Sequence, residues 1–262
     1  MSQATLYHGE PNGASLTVLV ALAESGLDIP CQPIDLLAGA RHSLPDIAEP
    51  TALDLGIEGE GPVLVIGGEA MTESVFLAQY LDELAGGCGL QPSDAYAHWE
   101  MLMWCRQITE RLSPAAALLG NLANAQSAIA AIPAEDFVAL TASVVSDDLR
   151  ARWQALHDDA IDAGQVADSH AKVDQAVARC EDKLADGREW LMGEFSIADL
   201  VTYSWLAGME PIRPEAFAAA HLTRAWLARV AARPCVVSAL ALANCAEPLR
   251  SWAPGPEINR WG

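Results

Sequence analysis

The stretch Gly61-Pro62-Val63-Leu64-Val65-Ile66, followed by Gly67-Gly68 and then Glu69-Ala70-Met71-Thr72-Glu73-Ser74, decides how this chain is read. A short apolar run opens on proline, turns at two glycines, resumes as a second short strand and enters a helix, the pattern of a β-hairpin feeding a helix. Pro62 stands first in its strand, where no ladder donor is needed. X-Pro is also the one linkage at which a cis peptide costs only about 0.5–1 kcal/mol, and a cis Gly61–Pro62 bond would turn the preceding carbonyl and amide outward, toward an extended peptide. The helix that starts at Glu73-Ser74 points free N–H groups and a positive dipole end at whatever lies before it, which suits a carboxylate; Glu73 beside it suits an ammonium. Together they predict a grip for both charges of an amino-acid head group. Taken singly, Pro62 also reads as an edge-strand residue and Thr72-Glu73-Ser74 as a plain helix start.

Upstream, Ala4 to Tyr7 is a strand and His8 to Gly13 a loop of turn formers. A helix follows from about Ala14 to Ser25, with Leu16, Leu19, Val20 and Ala23 at helical spacing and Gly26 just past its end. A second strand is expected over Ile29 to Leu36 and a helix over Glu73 to Leu84. The order strand, helix, strand, hairpin, helix is a thioredoxin-like layout, which brings the Ser15 loop and the Pro62 loop to one edge of the sheet. The Gly/Pro stretch Gly86-Gly87-Cys88-Gly89 through Pro92-Ser93 marks a boundary between an α/β thioredoxin-like domain over residues 1–86 and an all-α domain over 93–262. Helices are expected over Tyr96 to Leu112, the alanine-rich Ser113 to Ala131, and a long region from Leu149, with Pro133 to Val144 short or irregular. Within the long region Val166, His170, Val173, Val177, Cys180 and Leu184 mark a buried face. Trp252 to Gly262 reads as an extended tail.

The 262 residues, 52% hydrophobic, suffice for one large or two ordinary domains with real cores. A net charge of -20 repels nucleic acid and anionic membranes, and both are excluded as partners. The apolar run Ala14 to Ala23 lacks a basic flank and the length to cross a bilayer, so a soluble, cytoplasmic protein is expected. Six scattered cysteines show no zinc spacing, and no metal is expected. Asp158, Asp159 and Asp162 read as a solvated helix face.

The head-group grip, with a loop and helix start beside it, resembles the glutathione site of the glutathione S-transferase superfamily. The later motifs agree: Glu189 through Leu200 carries a capping box, Ser196-x-x-Asp199, that in such transferases nucleates a buried helix, and Ala225-Trp226 through Arg233-Pro234 matches their late helix and proline stop. Within the superfamily the chain is most similar to the bacterial β-etherases, through Gly13-Ala14-Ser15-Leu16, Thr72-Glu73-Ser74, Leu90-Gln91-Pro92-Ser93-Asp94 leading to Trp104, and the insert before Leu149-Arg150-Ala151-Arg152-Trp153. An asparagine would be expected where Ala14 stands.

The resemblance implies glutathione as cosubstrate, held by Gly61, a cis Pro62, Glu73 and Ser74. Ser15, just inside the first helix, would be the catalytic residue, donating to the thiolate that is the reactive form of a thiol; its other reading is a helix cap. Arg41 is the only lysine or arginine before Arg106, so Arg41 or His42 is the natural partner of the glycyl carboxylate, with Arg106 a further candidate. Ala14, Met101, Trp104, Cys105 and Arg106 are the expected substrate pocket, an aromatic wall suited to a phenyl group. In the implied reaction a glutathione thiolate attacks a carbon bearing an aryloxy group beside a ketone and expels a phenolate. Transfer to another electrophile, and a weakly catalytic or non-catalytic subunit, are the alternatives. A homo- or heterodimer is implied. A trans bond at Pro62, or acidic side chains in the groove, would count against catalysis.

Overall fold

A computed structural model describes residues 4–45, 47 and 56–257. The hairpin is present: β3 (Val63–Ile66) turns through Gly67 and Gly68, at φ 62° and 90°, into β4 (Glu69–Met71), with Leu64 opposite Met71. Both turn positions have the left-handed backbone that glycine takes without a Cβ penalty. β1 (Ala4–His8) runs antiparallel to β3 and parallel to β2 (Cys31–Pro33), giving the sheet order β2-β1-β3-β4. The second strand is shorter than Ile29 to Leu36. Pro33 ends it without a donor, and Asp35 then accepts from the N–H groups of Leu37 and Ala38, closing a turn.

Against this sheet lies α1 (Gly13–Ser25), buried from Gly13 to Leu22. It is apolar all round because it is covered all round, by α2 (Ser74–Leu84) and by later helices. Three glycines at positive φ, Gly86, Gly87 and Gly89, follow α2, and Asp82 anchors the turn by accepting from Cys88 N–H at 2.8 Å and Leu90 N–H at 3.1 Å.

From there the regular structure is helical. α3 (Ala95–Gln107), capped by Asp94, continues through a π-turn at Ile108–Leu112 into α4 (Ser113–Asn124); then come α5 (Gln126–Ala130), α6 (Ala134–Leu140), α7 (Asp147–His157) and α8 (Ala163–Leu184). The alanine-rich segment is thus two helices, broken where Asn124 turns its side chain onto the Gly120 carbonyl. On α8 the periodic face is buried at Val173, Val177, Cys180 and Leu184 and partly open at Val166 and His170. α9 (Ile197–Leu206), α10 (Pro214–Phe217), α11 (His221–Ala231) and α12 (Pro234–Leu240) complete the set, and α9 and α12 pack on α1. The chain is therefore a thioredoxin-like mixed sheet with helices, followed by an all-α region.

The capping box forms, with Asp199 reaching back to the Ser196 N–H at 3.0 Å. After a short turn at Pro248–Arg250 the tail runs without regular structure to Glu257. It is fastened nonetheless. Asn121 both donates to and accepts from the Ala253 backbone, Arg152 donates to the Pro256 carbonyl, and the Trp252 ring meets Trp153 edge-on at 5.1 Å. Among the described residues no helix is long and apolar enough to cross a membrane. The six cysteines are unbridged.

Candidate functional site

The start of α2 is the most constrained point in the chain. Glu73, just before the helix, holds φ 74°, a conformation costing a residue with a side chain about 1–3 kcal/mol and one that persists only where its surroundings enforce it. From there its carboxylate accepts the Glu58 backbone N–H at 2.9 Å. Ser74, the first residue of α2 and fully buried, donates its backbone N–H to Glu58 Oε2 at 2.6 Å and its hydroxyl to Glu58 Oε1. The pair thus meets a carboxyl group and a backbone N–H. Both come from the chain's own Glu58.

Burial, with the Glu73 carboxylate beside it, pushes Glu58 up to about 8, against the pull of the Ser74 hydrogen bonds and of Arg41. The segment that delivers it is tightly fitted. A Cβ on Gly56 would lie 2.3 Å from Glu73 Oε1, and one on Gly59, at φ 59°, would lie 2.4 Å from Leu149 Cδ1.

The other glutathione-site expectations are corrected here. The Gly61–Pro62 bond is trans, not cis; among the described residues no peptide is cis. Gly61 and Pro62 are buried, and the Gly61 carbonyl accepts from Arg41 Nη1 at 3.5 Å instead of facing an open groove. Arg41 is itself 1% exposed and so presents no open charge to a glycyl carboxylate. His42 is bound to the buried Glu60 at 2.7 Å. The acidic segment carrying Glu58 and Glu60 is therefore folded onto the start of α2 and the Ala40–Ser43 turn. Its earlier part, 48–55, lies outside the described residues.

Ser15 sits in the first turn of α1, whose cap is Asn12, the side chain of which accepts from Gly13 N–H at 3.0 Å. Ser15 is therefore not the cap. Its Oγ accepts from Gly9 N–H at 3.0 Å, which leaves its own O–H to donate. The hydroxyl is buried behind Gly9 and Leu36. In front of those two opens a cavity of 390 Å³, walled also by Glu10, Asp35, Asn244 and Trp252. His8 lies behind it, 1% exposed, with burial lowering its pKa and its Nδ1 2.6 Å from the Gly9 carbonyl oxygen.

The expected substrate-pocket residues do not form a wall. Ala14 is core on α1, which packs on α9, and Met101 and Cys105 are core because α3 turns that side against α9. Trp104 donates its indole N–H to Thr202 at 2.9 Å and carries Arg179 over its ring at 4.9 Å, beside a separate cleft of only 30 Å³. Arg106 points outward to Glu110. The residues missed were Glu58, Leu36 and Trp252. Glu58 was not singled out in the sequence, and Trp252 lay in a stretch read as a tail, although a tryptophan among prolines was a signal that the tail docks.

Residues 15–89 match the family model described as glutathione S-transferase, N-terminal domain, and residues 145–234 the model for the glutathione S-transferase C-terminal domain. The chain belongs to the glutathione S-transferase superfamily. Protein LigF of Sphingobium sp. (strain NBRC 103272 / SYK-6) is 23% identical to this transferase-family chain over 241 residues, 88% of this chain and 90% of LigF. The crystal structure titled beta-etherase LigF superposes with a TM-score of 0.80 at 22% identity, covering 91% of this chain and 99% of that one. A glutathione transferase family member from Pseudomonas fluorescens, crystallised with two glutathione bound, gives 0.60 at 20% identity, covering 91% and 92%. Maleylacetoacetate isomerase of Rhizobium meliloti is 35% identical over 92 residues, 35% of this chain and 40% of that protein. The fold of this superfamily member is the glutathione S-transferase fold.

Proposed function

We propose that this protein is a glutathione transferase of β-etherase type. The observation that carries the reading is the start of α2, where Ser74 and Glu73 hold a carboxylate and an N–H together, the two groups an amino-acid head group presents. The likeness to LigF over nearly the full length of both chains supports the finer assignment. In this reading the γ-glutamyl end of glutathione lies on Ser74 and Glu73, with Gly61, Pro62, Arg41 and His42 beside it once the acidic segment has moved. The thiol lies in the cavity before Gly9, and the Ser15 hydroxyl donates to the thiolate once Gly9 and Leu36, which cover it, give way. Sulfur bonds to the carbon bearing the aryloxy group, the carbon–oxygen bond breaks, and the phenolate leaves to take a proton from water. The products are a thioether and a phenol.

Incubating the protein with glutathione and an aryl-ether ketone and measuring released phenol tests this. Phenol formation above the uncatalysed rate is expected; its absence, with turnover of another electrophile such as an aryl halide, would leave a transferase of different substrate. A second reading, a transferase-like subunit without catalysis, is favoured by the trans Pro62 and the acidic segment folded onto the start of α2. It predicts no turnover of either substrate and no thermal stabilisation by millimolar glutathione.

A further inference from the structure

Glu58 offers in one residue stand-ins for both groups by which an amino-acid head group is recognised: a carboxyl group on the Ser74 N–H and hydroxyl, and a backbone N–H on the Glu73 carboxylate. Its position is built into the fold. Gly59 lies under Leu149 of α7, the Ile57 carbonyl accepts from the Glu257 N–H of the tail at 2.6 Å, and Glu60 is tied to His42. Glu58 is 6% exposed, so an outside carboxylate reaches Ser74 only by displacing it.

We propose that Glu58 is a resident competitor for the γ-glutamyl end of glutathione, and that the thiol substrate binds when residues 56–61 withdraw from α2. This rests on the glutathione reading above. An incoming ligand matches Glu58 at Ser74 and exceeds it at Glu73, where a charged ammonium replaces a neutral backbone N–H. The charged groups facing Glu58 are Glu73 just before α2 and Arg41 from the Ala40–Ser43 turn, with Glu60 of its own segment paired to His42 of that turn; α7 contributes the apolar Leu149 and the tail a backbone N–H at Ile57. The seated Glu58 keeps a proton that a released one gives up. Withdrawal is therefore easier as pH rises from the ordinary carboxylate range toward about 8.

The test is calorimetric titration of the full chain with S-methylglutathione, whose sulfur cannot ionise, at pH 6 and pH 8, for wild type, Glu58→Ala and Glu58→Gln. Glu58→Ala is expected to bind about tenfold more tightly than wild type at pH 6, since the apparent affinity of the wild type is reduced by the fraction of molecules in which the seat is free. Wild-type affinity is expected to rise between pH 6 and pH 8, and neither variant to follow it. Equal affinities and equal pH responses in all three proteins would overturn the role of Glu58 and leave the glutathione reading standing. No binding by any of the three, each folded by circular dichroism, would overturn both. Should Glu58→Ala misfold, the isosteric Glu58→Gln decides on the pH response alone.

Discussion

The indole N–H of Trp226 donates to Asp199 Oδ1 across 2.8 Å, joining α11 to the capping box of α9. The same oxygen accepts the Leu191 N–H at 3.0 Å, and Oδ2 accepts the Ser196 N–H at 3.0 Å. With the Ser196 hydroxyl, which donates to Oδ2 at 3.3 Å, a fully buried carboxylate satisfies four donors on three segments.

Asp199→Ala is accordingly expected to destabilise the protein by about 3 kcal/mol or more, because three buried N–H groups lose their acceptor. Urea denaturation monitored by tryptophan fluorescence measures this. A loss below about 1 kcal/mol would mean that water replaces the carboxylate.

Gly13 has φ 52°, and a Cβ there would lie 2.6 Å from the Trp205 ring. Gly13→Ala is expected to cost about 2–3 kcal/mol, from backbone strain and from pushing Trp205 off its seat on α9. The thermal midpoint of the variant reads it directly, and an unchanged midpoint would show that the ring yields freely.

Ser15→Ala removes the hydroxyl proposed to donate to the thiolate and leaves the Gly9 N–H without its acceptor. If Ser15 acts on the sulfur, kcat is expected to fall about 10²-fold, as for loss of one preorganised donor. KM for glutathione should change by less than about threefold, since the head group is gripped elsewhere. Equal losses in kcat and affinity would mean that the hydroxyl only shapes the Gly9 loop.

Two buried carboxylates have pKa values raised by burial, Asp199 from 3.8 to about 6 and Glu58 from 4.5 to about 8. The native protein then binds more protons than the unfolded chain between these limits, so these groups make stability greatest below about pH 4 and let it fall as pH rises toward 8. Melting temperatures across pH 4 to 9 should show the decline. Glu58→Gln should flatten its part between pH 6 and pH 8, and an unaltered slope would place that titration elsewhere.

The hairpin, the first helix, the α8 face and the Ser196 box were legible because each is fixed by local chemistry: turn glycines, helical spacing and a cap with its return hydrogen bond. The helix start at Glu73 and Ser74 was legible for the same reason. What packs on it was not. Glu58 lies fifteen positions before Glu73, and nothing in a run of carboxylates says which one folds inward onto a helix end. Met101 and Cys105 were misplaced because an apolar residue reads alike in a core and in a pocket wall. Arg41 looked like a ligand for being the lone early cation, whereas its burial against the Gly61 carbonyl is a tertiary fact.

The backbone bond from Glu257 to Ile57 gives the last described stretch a second task. Carboxypeptidase trimming that stopped at Ala253 would spare the Asn121 anchor while releasing the strap over the acidic segment. On the proposed glutathione reading, access to the start of α2 would then depend on whether residues 254–257 are intact, a form of control exercised by cleavage and leaving the core whole.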